Sequence, residues 1–352
     1  MFYEPISHPQ EKKSWFAKII RALLQFIGLT NQPVVKVYHG YGNSEKVVVF
    51  GHVFSLSPIP RKTYRRNVLT NALSLLRSFT VVHIPNARVA LQWQGQVYET
   101  KTAQDGFFRF ECVINLPVDP GLHQANVAYF QDGFSKPVAE GAGWVMVPHP
   151  GQLAFVSDID DTFLVSHSGK AFKKFYALLS KNAHSRKPFE GVVNHYNLLA
   201  KARMGADGVN PFFYVSSSEW NLYDFIKEFC RTYQLPEGVY LLNQLKGLTE
   251  VWKTGANKHS TKFMRITRVM EAYPHFNFVL LGDDSQMDPT IYASIAAHFP
   301  GRVVAVYLRH VYKKNLANVN INIQKITNAG VPVCHFEHSK EAIDHSLHIG
   351  II

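Results

Sequence analysis

Cysteine is scarce in this chain, and its few copies are far apart. The 352 residues include only Cys112, Cys230 and Cys334, and no two of them have the close spacing of a metal finger or a redox pair. An odd number of widely separated cysteines predicts reduced thiols rather than a disulfide framework, so we expect a cytoplasmic protein.

Long apolar runs are also missing. No stretch approaches the roughly 18 uninterrupted apolar residues of a membrane-spanning helix, so the sequence predicts none. The first apolar stretch begins at Trp15, is interrupted by Lys18 and Arg21, and is followed by no clear small-residue cleavage site. This pattern disfavours a secretory signal peptide.

Acidic residues are outnumbered by basic ones. Lys and Arg together number 37 against 26 for Asp and Glu, which gives a formal net charge of +11. The excess favours an anionic partner such as anionic lipid, a phosphorylated substrate or nucleic acid, although solubility alone explains it equally well. The basic residues are dispersed and form no recognised nucleic-acid-binding motif, so we expect no nucleic-acid partner.

Residues 12–29 have the pattern of a basic amphipathic helix. Apolar side chains recur there at helical spacing, with Ser14 as a suitable N-cap and Gly28 as a suitable end. Basic side chains lie in the same stretch. Such a helix can lie against an anionic membrane surface; the alternative is that its apolar stripe packs on the protein itself or on a second subunit.

Between residues 34 and 148 the hydrophobic pattern has a period of two. Strands are predicted at 34–38, 47–53, 87–93, 107–114 and 124–130, with one helical interruption at 67–79. This pattern predicts an antiparallel β-sandwich accessory domain over residues 34–148, preceded by a helical segment over residues 1–33. We identify no catalytic constellation in it.

Residues 149–352 alternate between strand and helix patterns. Strands are predicted at 153–157, 212–216, 238–242, 276–282 and 303–308, and helices at 170–181, 191–204, 222–233, 260–273 and 290–298. Such alternation predicts an α/β domain with a doubly wound parallel sheet.

The most informative stretch is residues 153–162, where an apolar run ends in acidic residues. Asp158, Asp160, Asp161 and Thr162 follow the predicted strand directly. Two carboxylates that lie close together repel each other unless a cation or a shared proton lies between them. The carboxyl end of a parallel strand is also where open α/β sheets carry their chemistry. We therefore interpret the stretch as a nucleophilic carboxylate beside a divalent cation.

Two later strand ends and one helix carry further candidates. Ser216 and Ser217 precede a predicted helix, where hydroxyl and free N–H groups can bind phosphate, although helix capping is the commoner role of serine there. Asp283, Asp284 and Asp288 form a second acidic strand end, which favours Mg²⁺ as the cation. Lys262 on the preceding helix could reach a phosphate, although solvent exposure is the usual state of a helical lysine, and Lys258 and Arg265 are competitors.

Together, these residues resemble the four ordered motifs of the haloacid dehalogenase superfamily of phosphotransferases. Residues 214–223 and 282–289 are similar to the actin patch protein-type phosphatidate phosphatases, which have lipin-like catalytic domains. The similarity covers about residues 150–345. The chain departs from the usual family pattern at Asp284-Ser285, where the family has Ser-Gly, and at Glu219, where it commonly has Pro. The first departure adds a carboxylate near the predicted cation.

The resemblance implies a magnesium-dependent phosphatase of lipid metabolism that hydrolyses phosphatidate through an aspartyl-phosphate intermediate. It implies Asp158 as nucleophile and Asp160 as acid and base, with Mg²⁺ held by Asp158, the Asp160 carbonyl and Asp283. The remaining implied roles are phosphate binding by Ser216, Ser217 and Lys262, and outer support by Asp161, Thr162, Asp284 and Asp288.

Two other functions are compatible with the sequence. One is a phosphatase of a soluble phosphomonoester, for which residues 12–29 would be merely structural. The other is a non-enzymatic module that binds phosphorylated lipid, which the pair Asp158 and Asp160 disfavours because a binder needs neither nucleophile nor acid. The basic balance and residues 12–29 favour a lipid substrate, reached by peripheral contact with an anionic membrane.

Overall fold

The computed structural model describes most of the chain. The described residues are 29–30, 32–58, 80–159, 188–205, 208–243, 258–311 and 316–352. In the segment 258–311, side chains are described from residue 261 onward. The predicted helices at 67–79 and 170–181 lie outside the described residues. So does the predicted helix at 12–29, except for Leu29, which begins a strand.

Ten strands make up the N-terminal part of the described chain. They are β1 Leu29–Thr30, β2 Val34–Val37, β3 Gly40–Gly42, β4 Lys46–Pro58, β5 Val82–His83, β6 Arg88–Trp93, β7 Gln96–Lys101, β8 Phe107–Val113, β9 Gly121–Phe130 and β10 Ala139–Val147. They form one sheet in the order β1-β4-β3-β10-β9-β6-β7, and β2, β5 and β8 also pair with β4. The pairings of these described strands are antiparallel except that of β3 with β10, which is parallel.

Side-chain alternation gives this sheet its own hydrophobic core. In β9, Ala125, Val127 and Tyr129 are buried and alternate with more exposed residues. They pack with the buried side chains of β4, β6 and β8. The antiparallel strands predicted here are present, whereas their arrangement as a sandwich stays a prediction. The unpredicted strand β10 contains Gly141, where a Cβ would lie only 2.1 Å from the Val35 carbonyl oxygen.

A parallel sheet of six strands forms the C-terminal part. The strands are β11 Leu153–Ser157, β12 Phe212–Glu219, β13 Gly238–Asn243, β14 Asn277–Asp283, β15 Val303–Arg309 and β16 Val333–Phe336, in the order β13-β12-β11-β14-β15-β16. The helices are α1 Val192–Lys201, α2 Tyr223–Thr232, α3 Lys258–Ala272, α4 Asp288–His298, α5 Leu316–Asn328 and α6 Ser339–His348, with a 3₁₀ turn at Trp220–Leu222. In the described part of the chain, no helix combines the length and the apolarity that crossing a membrane requires.

The predicted α/β class is confirmed for this part of the chain. Its central strands β11 and β14 are buried, apart from Asn277 at the start of β14, because a parallel sheet with covered faces has apolar residues on both sides of each strand. The sequence did not predict α5, in which Val319, Ile321 and Ile323 alternate with asparagines as in a strand. It also missed the four-residue β16 and the following α6.

Aromatic side chains join the two parts of the molecule. The ring of Tyr38, which follows β2, stacks on Trp220 with a centroid distance of 4.2 Å. Tyr41 in β3 meets Phe213 in β12 edge to face at 5.8 Å. The N-terminal sheet therefore packs against β12 and the turn after it. Ser216 lies in the second half of β12.

Candidate active site

The acidic ends of β11 and β14 lie side by side because the two strands are neighbours in the parallel sheet. Asp158 directly follows β11, and Asp283 is the last residue of β14. The backbone N–H of Asp158 donates to the Leu281 carbonyl at 2.8 Å, which keeps the two strand ends together. The two acidic segments identified in the sequence are therefore adjacent.

Lys262 lies between two buried carboxylates. Its Nζ donates to Asp158 Oδ1 at 2.6 Å and also to Asp288 Oδ1. The exposed fractions of these side chains are only 4% for Lys262, 2% for Asp158 and 1% for Asp288. Burial opposes the positive charge of Lys262, but the two carboxylates outweigh burial and raise the lysine pKa. The lysine predicted on α3 is thus a buried cation.

Asp283 is a third buried carboxylate in the same place. Burial, followed by repulsion from Asp288 and Asp158, raises the pKa of Asp283 well above the ordinary value. Its Oδ1 accepts the Ser285 N–H at 2.5 Å, and its own N–H donates to Asp288 Oδ2 at 3.4 Å. Asp288 therefore contacts both the lysine and the end of β14.

The backbone at Gly282 has no room for a side chain. An added Cβ would lie 2.4 Å from Asp288 Oδ2 and 2.9 Å from the Tyr292 hydroxyl. The Tyr292 hydroxyl in turn donates to the Leu281 carbonyl at 2.8 Å. Glycine at this position lets α4, which begins at Asp288, approach the end of β14 closely.

The three carboxylates fit a divalent cation. One oxygen each from Asp158, Asp283 and Asp288 lie within 4.8 Å of one another. Lys262 contributes one positive charge beside these three carboxylates, and burial, followed by repulsion from Asp288 and Asp158, raises the pKa of Asp283. Carboxylate oxygens are hard ligands that suit Mg²⁺.

The predicted phosphate-binding serines lie in the second half of β12, towards the same edge of the sheet. Ser157 in β11 pairs with Tyr214, so Ser216 lies slightly beyond the level of Asp158. Ser216 is buried, and its Oγ accepts the Ser218 N–H at 2.9 Å, whereas Ser217 is partly exposed. Hydroxyl groups thus lie at the strand end next to Asp158.

Asp284 points to a different set of side chains. Its Oδ2 lies 3.1 Å from His335 Nε2 and also contacts His310 Nδ1, while its Oδ1 accepts the Val311 N–H at 2.8 Å. Burial would raise the pKa of Asp284, but the hydrogen bonds outweigh burial and lower it. Neither histidine stands out in the sequence. The available signal for His310 is its place after the strand predicted at 303–308, whereas His335 lies on β16, which the sequence did not predict.

The structure thus groups some predicted site residues and separates others. It brings Asp158, Lys262, Asp283 and Asp288 into one cluster, places Ser216 and Ser217 at the adjacent strand end, and directs Asp284 elsewhere. Asp160, Asp161 and Thr162 lie outside the described residues, so their roles stay predictions.

Residues 153–310 match the catalytic domain of a family of phosphoric monoester hydrolases. The family is described as phosphatidate phosphatase APP1, catalytic domain, and the match covers residues 153–310. The resemblance to the actin patch protein-type phosphatidate phosphatases is therefore confirmed for these residues, which include the cluster around Asp158.

Two curated yeast proteins are similar to this chain over part of their length. The phosphatidate phosphatase APP1 of Saccharomyces cerevisiae is 27% identical over 51% of this chain and 29% of its own length. An uncharacterized protein of Schizosaccharomyces pombe is 23% identical over 45% of this chain and 25% of its own length. The similarity thus spans less than a third of either relative.

A carbohydrate acetylesterase from Xanthomonas citri has a TM-score of 0.32 and 10% sequence identity, covering 90% of this chain and 75% of that chain.

Proposed function

We propose that this protein is a magnesium-dependent phosphatase that hydrolyses phosphatidate to diacylglycerol and phosphate through an aspartyl-phosphate intermediate. The observation that carries the proposal is the buried cluster in which Lys262 Nζ lies 2.6 Å from Asp158 Oδ1, next to Asp283 and Asp288. The family match of residues 153–310 supports the same reaction class.

We further propose that the α/β part has the doubly wound, haloacid dehalogenase-like form. Its strand order runs outward in both directions from β11 and β14, which supports this assignment. We also propose that the chain divides into a helical segment, a β-sandwich domain and the α/β domain, over residues 1–33, 34–148 and 149–352. The separate hydrophobic core of the N-terminal sheet supports it.

Asp158 is the nucleophile of the proposed reaction. A carboxylate oxygen of Asp158 attacks phosphorus, the ester P–O bond breaks, and the departing alkoxide takes a proton from Asp160. Water then attacks phosphorus, Asp160 accepts a proton from it, and phosphate leaves as the Asp158 carboxylate is restored. The fixed position of Asp158 against Lys262 supports its role, because a held nucleophile loses less freedom on reaching phosphorus.

Asp158, Asp283 and the Asp160 carbonyl would hold Mg²⁺, with Asp288 as a further carboxylate within reach of the ion. Bound Mg²⁺ would supply positive charge that offsets the repulsion between Asp158 and the phosphate. Lys262 and the Ser216 and Ser217 groups would bind the phosphoryl oxygens and stabilise the charge that develops on them.

Phosphatidate is proposed as the substrate on the strength of the family and of the charge. Its phosphate is an anion, and the chain carries a net charge of +11. A protein of the cytoplasm would reach this lipid at the membrane surface, with residues 12–29 as the contact. No nucleic-acid partner is expected.

The first test is the isosteric substitution Asp158→Asn, assayed by phosphate release from phosphatidate in mixed micelles with Mg²⁺. We expect loss of activity with unchanged folding by circular dichroism, because an amide is a poor nucleophile for phosphorus. Asp344→Asn, which alters an exposed carboxylate in α6, is the matched control and should retain activity. Wild-type turnover by Asp158→Asn would disprove the mechanism.

The substrate is tested separately. Turnover of phosphatidate is compared with turnover of a panel of sugar and nucleotide phosphates under the same Mg²⁺ concentration. If the protein preferred a soluble ester and Asp158→Asn abolished that activity, the proposed mechanism would stand and phosphatidate would be the wrong substrate. Phosphatidate binding without any turnover would favour a non-enzymatic lipid-binding module.

A further inference from the structure

Three consecutive strands place a carboxylate and two imidazoles at the carboxyl edge of the parallel sheet. Asp284 follows β14, His310 follows β15, and His335 is the third residue of β16. The Asp284 N–H donates to the Arg309 carbonyl at 3.0 Å, and the His310 N–H donates to the Phe336 carbonyl at 2.6 Å. The backbone therefore fixes the points from which the three side chains start.

The side chains converge as well. His335 Nε2 lies 3.1 Å from Asp284 Oδ2, His310 Nδ1 contacts the same oxygen, and the three atoms that could act as ligands lie within 4.8 Å of one another. Asp284 is fully buried, whereas 13% of the His310 side chain and 23% of the His335 side chain are exposed. The group thus has a buried anionic end and a side that solvent reaches.

We propose that Asp284, His310 and His335 form a binding site for a divalent transition-metal cation of the Zn²⁺ type. Two imidazole nitrogens and one carboxylate oxygen make a donor set that protein zinc sites use when one coordination position stays open. Imidazole favours Zn²⁺ and its transition-metal neighbours, whereas all-oxygen sites favour Mg²⁺. The donor chemistry therefore separates this site from the cluster around Asp158.

The site also differs in position from the cluster around Asp158. Successive side chains at a strand end point to opposite sides, so Asp283 joins Asp158 and Asp288 while Asp284 joins the histidines. His335 lies beyond the residues 153–310 that match the phosphatase family. The inference therefore goes beyond the proposed phosphatase activity and does not depend on it. A cation bound here would tie together the ends of β14, β15 and β16, one residue from Asp283.

The test measures bound metal on the full-length protein. Protein stripped with a chelator is dialysed against Zn²⁺ alone, and bound zinc is counted by elemental analysis. We expect wild type to bind one equivalent more than the double variant His310→Gln/His335→Gln. Asp158→Asn should keep this equivalent, because it alters only the oxygen cluster. His275→Gln, which removes an exposed histidine, should bind as wild type does.

Co²⁺ in place of Zn²⁺ gives a second readout that is independent of activity. Nitrogen-coordinated Co²⁺ should show visible absorption in wild type and in Asp158→Asn, and the double variant should lose it. Equal metal binding and equal spectra in wild type and the double variant would overturn the site. If the double variant does not fold, His335→Gln alone decides, with an expected loss of affinity of at least about tenfold; unchanged affinity would also overturn it.

Discussion

Asp283 and Asp284 are neighbours in the chain and both are fully buried, yet their surroundings are opposite in character. Asp283 faces two further carboxylates, and its pKa is raised by burial and then by their repulsion. Asp284 faces two imidazoles and a backbone N–H, which outweigh its burial and lower its pKa. The comparison shows that partners, rather than burial alone, decide whether a buried carboxylate prefers to be ionised.

We call the cluster of Asp158, Lys262, Asp283 and Asp288 the Asp283 side, and the cluster of Asp284, His310 and His335 the Asp284 side. The two sides also differ in how their charge is balanced. On the Asp283 side, one lysine serves Asp158 and Asp288 at the same time. On the Asp284 side, every described partner of the carboxylate is a potential hydrogen-bond donor. Among the described contacts of the first side, Lys262 is the cation that hydrogen-bonds to two of the carboxylates, so its removal should have a much larger effect than any single change on the second side.

The largest expected effect follows from Lys262→Met, which removes that cation and retains the bulk of the chain. Breaking a buried ion pair by removing one partner leaves the other charge buried, which lowers the free energy of unfolding by about 3–5 kcal/mol. Phosphate release should be lost as well. Urea unfolding with a chelator present measures the first effect without interference from a bound cation.

Lys340→Met is the control for Lys262→Met, because Lys340 is an exposed lysine in α6. We expect it to change the free energy of unfolding by less than about 0.5 kcal/mol. Equal stability of Lys262→Met and Lys340→Met would mean that the buried carboxylates do not depend on the lysine.

A smaller effect is expected from Gly282→Ala, which acts on the packing of the Asp283 side. The new methyl group would overlap Asp288 Oδ2 and the Tyr292 ring, and neither can move without disturbing α4. Overpacking of this kind lowers the free energy of unfolding by about 1–3 kcal/mol. Gly205→Ala is the matched control, since no atom lies within 4 Å of its added Cβ. An equal shift of the melting temperature in both variants would contradict the close approach of α4 to the end of β14.

The residues of the Asp283 side were predictable because they lie in short local patterns. Asp158 and Asp283 each end an apolar run, and alternation between strands and helices places such ends on one edge of a sheet. Lys262 was identified from its place on the helix before β14, although the pattern alone does not distinguish a buried lysine from an exposed one.

The residues of the Asp284 side were not predictable in the same way. His335 is 51 residues from Asp284 in the chain, and it lies on a four-residue strand that the sequence did not predict. The intervening α5 has a strand-like alternation, so its apolar pattern conceals the βαβ connection that brings β16 next to β15. The contact of Tyr38 with Trp220 was also not predictable, because the two residues lie far apart in the sequence and no local pattern relates them.

The smallest expected effect concerns a histidine without a carboxylate partner among the described contacts, in contrast to His310 and His335. His195 in α1 is buried, and its Nε2 lies 3.1 Å from Ser346 Oγ. Burial, followed by the charges of Arg309 and His345, lowers the pKa of His195 to about 3. The folded protein therefore keeps this imidazole neutral at pH values where the unfolded chain protonates it.

In the unfolded chain, His195 takes up a proton below its ordinary pKa of about 6.5, whereas in the folded protein it stays neutral down to about pH 3. The free energy of unfolding therefore falls as the pH is lowered from about 6.5 towards 3. Between pH 7 and pH 5, wild type should lose about 1–2 kcal/mol more than His195→Gln, as measured by urea unfolding at each pH. His275→Gln, an exposed control, should follow wild type. A common pH slope for all three proteins would contradict the prediction. A shallower slope in His195→Gln alone would show that a buried histidine without a carboxylate is acid-sensitive, and would sharpen the contrast with the pair held by Asp284.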